Sequence, residues 1–259
     1  VAGFVREIGG DRVAVTSLLP PGADAHTWEP RPNQMRAAAR ASLFFSVGLP
    51  FEEAMRGRMT DLNPSLRTIR VDAGIRRIPM AAEEHAHHGE TEPEGHVHEG
   101  ADPHVWLSVR EAPKMIEAIR AALVRVDPSG RAGYDARARR LRERVVGMDE
   151  TFRTLLAGRR GSKILVYHPA WGYFCRDYGL VQIAVEVEGK EPKPAQMAHL
   201  IDEAREEGAR VIFVQPQMSR RAADEVARAV GGRVVLLDPL DGDWMGQMRR
   251  TAEAFRSVR

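Results

Sequence analysis

The 259-residue chain lacks most of the features that would reveal its chemistry at once. It has a single cysteine, Cys175, so no internal disulfide can form and bridges say nothing about its compartment. That cysteine lies in GYFCRDYG, among aromatic and charged residues, with His168 the nearest histidine. A packed, inert thiol is expected there rather than a nucleophile. No apolar run approaches the ~20 residues that a membrane-spanning helix requires. No H-E-x-x-H motif occurs, which argues against a helix-borne zinc hydrolase site. Neither sign of charge dominates: 38 basic residues stand against 36 acidic ones, and a net charge of +2 makes no case for nucleic acid. Arginines do crowd into RAGYDARARRLRERVVGMDETFRTLLAGRR (131–160), but acids and apolar residues interleave with them, as on a solvated helix face. The sequence opens at VAGFVREIGG without a methionine or a signal peptide, as expected of a processed or trimmed chain.

What is present is an ordinary globular composition, 43% hydrophobic and 29% charged, long enough for one large domain or two lobes. Short β-branched runs alternate with longer amphipathic stretches, which predicts an α/β architecture with parallel strands. Strands are expected at 12–19, 42–48, 67–72, 163–168, 181–187, 210–215 and 233–238. Helices are expected at 33–41, 52–59, 195–208 and 219–231, and Gly208 and Gly231 stand where two of them should stop. From Val109 to Leu156 nothing reads as strand. Pro128 should break this region into two helices, the second long enough to connect two lobes. The expected organisation is an amino-terminal α/β lobe over 1–128, a linking backbone helix over 129–158 and a carboxyl-terminal α/β lobe over 159–259.

Histidine is concentrated in one stretch. The stretch EEHAHHGETEPEGHVHEGADPH (83–104) holds His85, His87, His88, His96, His98 and His104. Residues 83–101 contain almost no large apolar side chains and should form a mobile loop. Its five crowded histidines are candidates for weak accessory metal binding, since ordering flexible ligands costs entropy. A dispensable solvated insertion is the equal alternative.

Four other residues stand at strand ends or in the turns beyond them: His26 in PPGADAHTWEP, His104 in ADPHVWLS, His168 closing ILVYH and Asp238 closing VVLLD. Open parallel sheets bind ligands beyond the carboxyl ends of their strands, and three imidazoles with one carboxylate suit tetrahedral Zn2+. Separations of 64 to 78 residues mean that no local spacing rule brings the four together. A backbone carbonyl could equally satisfy His168, and Asp238 could be a turn residue before Pro239.

At this point several motifs, taken in order, resemble one family. PPGADAHTWEPRPNQMRAAARASLFFSVGLPFE, ADPHVWLS, VYHPAWGYFCRDYGL, EGKEPKPAQMAHLIDEAREEGARVIFVQPQMS and LLDPL are similar to segments of the metal-specific solute-binding proteins of ABC importers, the cluster A-I group. The resemblance spans essentially the whole chain. It implies two α/β lobes, each with a mostly parallel four-stranded sheet flanked by helices, joined by a long rigid backbone helix. It also implies one metal held in the interlobe cleft by His26, His104, His168 and Asp238 and delivered to a membrane permease. Zinc-type members carry histidine at the third ligand position and manganese-type members a carboxylate, so His168 favours Zn2+ over Mn2+. Ala25 stands where some zinc-type members have a competing acid, which leaves Asp238 the better fourth ligand. The family usually opens with a strand that this sequence does not show, so the chain is trimmed or its first sheet is one strand short.

The implied protein is a monomer, periplasmic or attached to the cell surface, with an ABC permease and no nucleic acid as its partner. The rival readings are a manganese-specific member, a zinc-dependent hydrolase, and an adhesin or metal buffer with no permease. The hydrolase would need an open coordination position, which four protein ligands would close. Among secondary candidates, Asp24 and Glu29 could orient His26 or equally be exposed surface residues, and Trp28, Trp106 and Trp171 could pack around the ion or simply in the core. His199 is expected on a helix face away from metal, and Glu188 to Glu191 at the cleft rim.

Overall fold

The computed structural model describes residues 1–25, 28–38, 40–80, 101–186, 192–218 and 220–258. Two compact units are distinguished. The first comprises Val1–Arg76, Ser108–Thr151 and Leu240–Met245. The second comprises Arg77–Leu107, Phe152–Pro239 and Gly246–Arg259.

The first unit begins with α1 (Ala2–Gly9), whose Phe4, Val5 and Ile8 form a buried stripe. The helix ends under the guanidinium of Arg137, which donates to the carbonyls of Ile8 (2.6 Å) and Gly9 (3.0 Å) and so satisfies acceptors that the last turn leaves unpaired. Next come α2 (Pro32–Ala38), β1 (Leu43–Ser46), α3 (Pro50–Leu62) and β2 (Arg67–Arg70). β1 and β2 pair in parallel, Leu43 opposite Arg67. Ala38, Phe44, Met55, Met59 and Leu66 are buried together beneath Trp28, Met35 and Phe51. Glu52, in the first turn of α3, accepts from three consecutive backbone N–H groups, those of Val47, Gly48 and Leu49.

Two strands, not four, make up this sheet among the described residues. The expected strand at 12–19 carries no strand assignment. Its alternating pattern suits an extended chain, but a strand also requires a neighbour to bond, and alternation does not supply one.

α4 (Ala112–Val126) and α5 (Arg131–Leu156) fill the region read as helical, with the break at Asp127–Pro128 as expected. Asp127 collects hydrogen bonds from Arg12, Ser129 and Tyr134 at that corner. The arginine-rich sequence is helical because Tyr134, Ala138, Leu141, Val145, Met148, Phe152 and Leu156 recur at spacings of three and four and are all buried. Arg139, Arg140, Arg142 and Arg144 face outward. Among the described residues no helix is long and apolar enough to cross a membrane.

The second unit carries the expected four-stranded parallel sheet. Its elements are β3 (Lys163–Val166), α6 (Gly172–Tyr178), β4 (Val181–Ala184), α7 (Pro194–Glu206), β5 (Val211–Val214), α8 (Arg221–Ala229), β6 (Arg233–Leu236) and, from Gly246 on, α9 (Trp244–Arg256). The strand order is β4-β3-β5-β6. β5 is buried along its whole length, as a central parallel strand covered on both faces should be. Ile212 and Val214 join Leu165, Leu200 and Val226 on one face. Phe213, from the alternate position, packs on Phe255 of α9 at 4.9 Å between ring centroids. The registers Val166↔Ala184, Val166↔Phe213 and Val214↔Leu236 align the carboxyl ends of all four strands.

Candidate metal centre

That alignment gathers the polar residues just beyond the strands. His168 lies two residues past β3 and Glu186 two residues past β4. Because Val166 pairs with Ala184, the two side chains emerge next to each other on the same face. The ladder continues through Val185 N–H to Val166 C=O and Glu186 N–H to Tyr167 C=O. The His168 Nδ1–H accordingly donates to Glu186 Oε1 at 2.6 Å, with both residues buried.

His104 arrives from outside the sheet, on the segment preceding a short 3-10 turn at Val105–Leu107. Asp102 fixes it twice: Oδ1 accepts from the His104 backbone N–H at 2.8 Å and from its ring Nδ1–H at 2.8 Å. Asp102 is itself held firmly. Its N–H donates to the Ile78 carbonyl, its own carbonyl accepts from Tyr173 Oη, and a Cβ placed on Gly172 would lie 2.6 Å from its Oδ2. Gly172 is therefore glycine because the carboxylate occupies the space of a side chain.

Each imidazole has its Nδ1 committed to a carboxylate, which only accepts, so each carries its metal-binding lone pair on Nε2. The two Nε2 atoms face one another at 3.2 Å. Two nitrogens bound ~2.0–2.1 Å from one tetrahedral Zn2+ would lie ~3.3 Å apart, so the spacing already suits two ligands of one ion. Burial pushes the His104 pKa below its ordinary value, outweighing the opposing Asp102 hydrogen bond. The neutral imidazole that a metal needs is therefore the form present near neutral pH.

Asp238 stands two residues past β6, and its Oδ1 accepts from Gln217 Nε2 at 3.0 Å. The following carbonyl, that of Pro239, accepts from the Trp106 indole N–H at 2.9 Å. The Trp106 ring also lies edge-on to His104, centroids 5.2 Å apart, and so links the His104 segment to the residue after Asp238. Trp171 packs on Phe255 as a core residue, and Trp28, partly buried, packs on Phe51 against the core of the first unit. Among the described residues no group of three or more His, Cys, Asp or Glu side chains is set to hold an ion; the arrangement they show is the pair of imidazoles.

His26, the five histidines at 85, 87, 88, 96 and 98, and residues 188–191 lie outside the described residues. His199 is exposed on α7, and Glu29 is exposed. Cys175 is buried, and burial pushes its thiol far above the range in which a thiolate forms, as expected of an inert thiol. Sequence reading missed Asp102 and Glu186. The first was signalled by its place two residues before His104. The second was signalled by its strand-end position beside His168, which becomes informative once β3 and β4 are known to be neighbours.

The sequence model of the family described as zinc-uptake complex component A, periplasmic, matches residues 1–258. The chain belongs to this family. Its members are solute-binding proteins of ABC importers, not enzymes, which sets aside the hydrolase reading. Among relatives, the chain is 28% identical over 247 residues to the high-affinity zinc uptake system protein ZnuA of Bacillus subtilis (strain 168), covering 92% of this chain and 75% of that protein. It is 27% identical over 241 residues to the zinc-binding lipoprotein AdcA of Streptococcus pneumoniae serotype 4, covering 92% of this chain but 48% of AdcA, about half of its length. Among solved structures, a crystal structure of ZnuA superposes with a TM-score of 0.89 at 32% identity, covering 99% of this chain and 94% of that one. A ZnuA deletion mutant with zinc bound gives 0.88 at 32% identity, covering 99% and 93%.

Proposed function

We propose that the chain captures a single Zn2+ with His26, His104, His168 and Asp238 and delivers it to an ABC-type membrane permease. The observation that carries this reading is the pair of imidazole Nε2 atoms 3.2 Å apart, each ring held from behind by a buried carboxylate. Two buried lone pairs at that distance repel, and a shared cation turns the repulsion into coordination. Zn2+ is preferred over Mn2+ because imidazole nitrogens outnumber carboxylate oxygens in the set, and nitrogen donors suit zinc while oxygen donors suit manganese. The zinc-binding relatives point to the same metal. The protein works as a monomer in the periplasm or attached to the cell surface, with the permease and no nucleic acid as its partner.

Calorimetric titration of metal-free protein with Zn2+ and Mn2+ tests this, on the full chain and on a chain lacking residues 84–99. One tight zinc site is expected in both. His104→Ala and His168→Ala should each weaken it strongly. Loss of all tight binding on deletion of 84–99 would move the site to the histidine-rich segment, and tight Mn2+ binding with weak Zn2+ would overturn the choice of metal.

A further inference from the structure

The turn after β5 reaches two of the proposed ligand positions at once. Residues Gln215–Met218 close on themselves through Met218 N–H to Gln215 C=O at 3.0 Å. Because β5 lies between β3 and β6, this turn sits beside the ends of both strands. Gln215, buried, donates through Nε2 to the His168 backbone carbonyl at 3.1 Å. Two residues on, Gln217 donates through Nε2 to Asp238 Oδ1 at 3.0 Å. Pro216 between them has a fixed φ, so the two glutamines leave the turn in a set relation.

We propose that Gln217 is a specificity-determining residue, favouring Zn2+ over Mn2+ by holding Asp238 as a ligand that binds through one oxygen. The proposal rests on Asp238 being the fourth ligand. A carboxylate can offer a metal one oxygen or two. Binding through two raises the coordination number, which suits hard oxygen-seeking cations such as Mn2+; zinc with three imidazoles is complete at four donors. The amide N–H engages Oδ1 and pins the plane of the carboxylate. A metal binding through both oxygens would draw on an Oδ1 whose electron density the amide already shares, so two-oxygen binding is weakened relative to binding through the other oxygen alone. Gln217 need not touch the metal to act this way.

The test is the ratio of Zn2+ to Mn2+ affinity, measured by competition titration on the full chain. The variants are Gln217→Met, which keeps the length of the side chain without the donor, and Gln217→Ala. Both should shift the ratio toward Mn2+ by about tenfold, within the range that outer groups exert on metal sites. In an Asp238→Ala background the same Gln217 changes should leave the ratio where Asp238→Ala alone puts it. An unchanged ratio in both Gln217 variants overturns the proposal, as does a shift that persists without Asp238. If Asp238→Ala alone leaves zinc affinity at the parent value, the ligand reading falls and takes the proposal with it. If Asp238→Ala weakens zinc while Gln217 has no effect on the ratio, the proposal alone falls. Melting curves of the metal-free variants establish that each is folded.

Discussion

Replacing Asp102 probes how the pair of imidazoles is held without touching a proposed ligand. Its Oδ1 receives both the backbone N–H and the ring Nδ1–H of His104, and the side chain is 1% exposed, so water cannot substitute for either bond. A hydrogen bond to a charged group contributes about 1.5–3 kcal/mol. The backbone bond acts on folding and on the position of the segment. In the proposed coordination the ring bond acts on zinc, because it fixes the tautomer and the direction of Nε2. Loss of the ring bond alone therefore corresponds to about 10- to 150-fold in affinity at ~1.4 kcal/mol per decade. Independent experience of outer-sphere partners of metal-bound histidine puts the loss at about 10- to 100-fold. Asp102→Asn retains an accepting oxygen but not the charge and should weaken Zn2+ binding about tenfold. Asp102→Ala should weaken it by about 10- to 100-fold and destabilise the metal-free protein by about 1–3 kcal/mol, because buried donors lose their acceptor. Zinc affinity is read by competition with a chelator of known affinity, and stability by urea melts of metal-free protein. Parent-like zinc affinity in Asp102→Ala would refute the argument that the carboxylate orients the ligand.

Three further outcomes follow from the same geometry. Gly172→Ala puts a methyl group 2.6 Å from Asp102 Oδ2 and 3.3 Å from Ile78 Cδ1; displacing the carboxylate should cost about 1–3 kcal/mol of stability and also lower zinc affinity, both measurable by the assays above. His104 has its pKa depressed in the folded chain, so the unfolded chain takes up a proton first as pH falls below its ordinary value near ~6.5. The contribution of His104 to stability is therefore complete above that pH and declines below it until the folded pKa is reached; metal-free His104→Gln should lose less stability than the parent between pH 7 and pH 5.5. Cys175 should resist alkylation by iodoacetamide in the native protein and react only after denaturation, and rapid native labelling would contradict its burial.

The two sheets show where the sequence was informative about fold and where it was not. In the second unit the runs at 163–168, 181–187, 210–215 and 233–238 became β3, β4, β5 and β6, because continuous β-branched and aromatic stretches have few other ways to be buried. The run at 12–19 has similar residue types but only alternating burial and no partner strand among the described residues. Composition describes what a segment would gain as a strand; it does not say whether a neighbour is present to pair with. α5 was legible despite its arginines, because its apolar residues keep to one stripe whatever covers the other face.

The site was legible in a different measure. Residue type singled out His104 and His168 as candidates, His168 also by its strand-end position, and the rule about carboxyl ends is general enough to have named Glu186 as well. It did not, because a glutamate after a strand means little until the order of the strands is known. In the order β4-β3-β5-β6, with Val166 opposite Ala184, residues 168 and 186 become lateral neighbours although 18 positions apart in the chain. The same holds for Gln215 beside His168 and Gln217 beside Asp238. Groups that bear a lone pair for the metal can be guessed one residue at a time. Groups that aim those lone pairs are defined by register, a relation between two segments, and single-sequence reasoning reaches them only where both partners lie within a few residues, as Asp102 and His104 do.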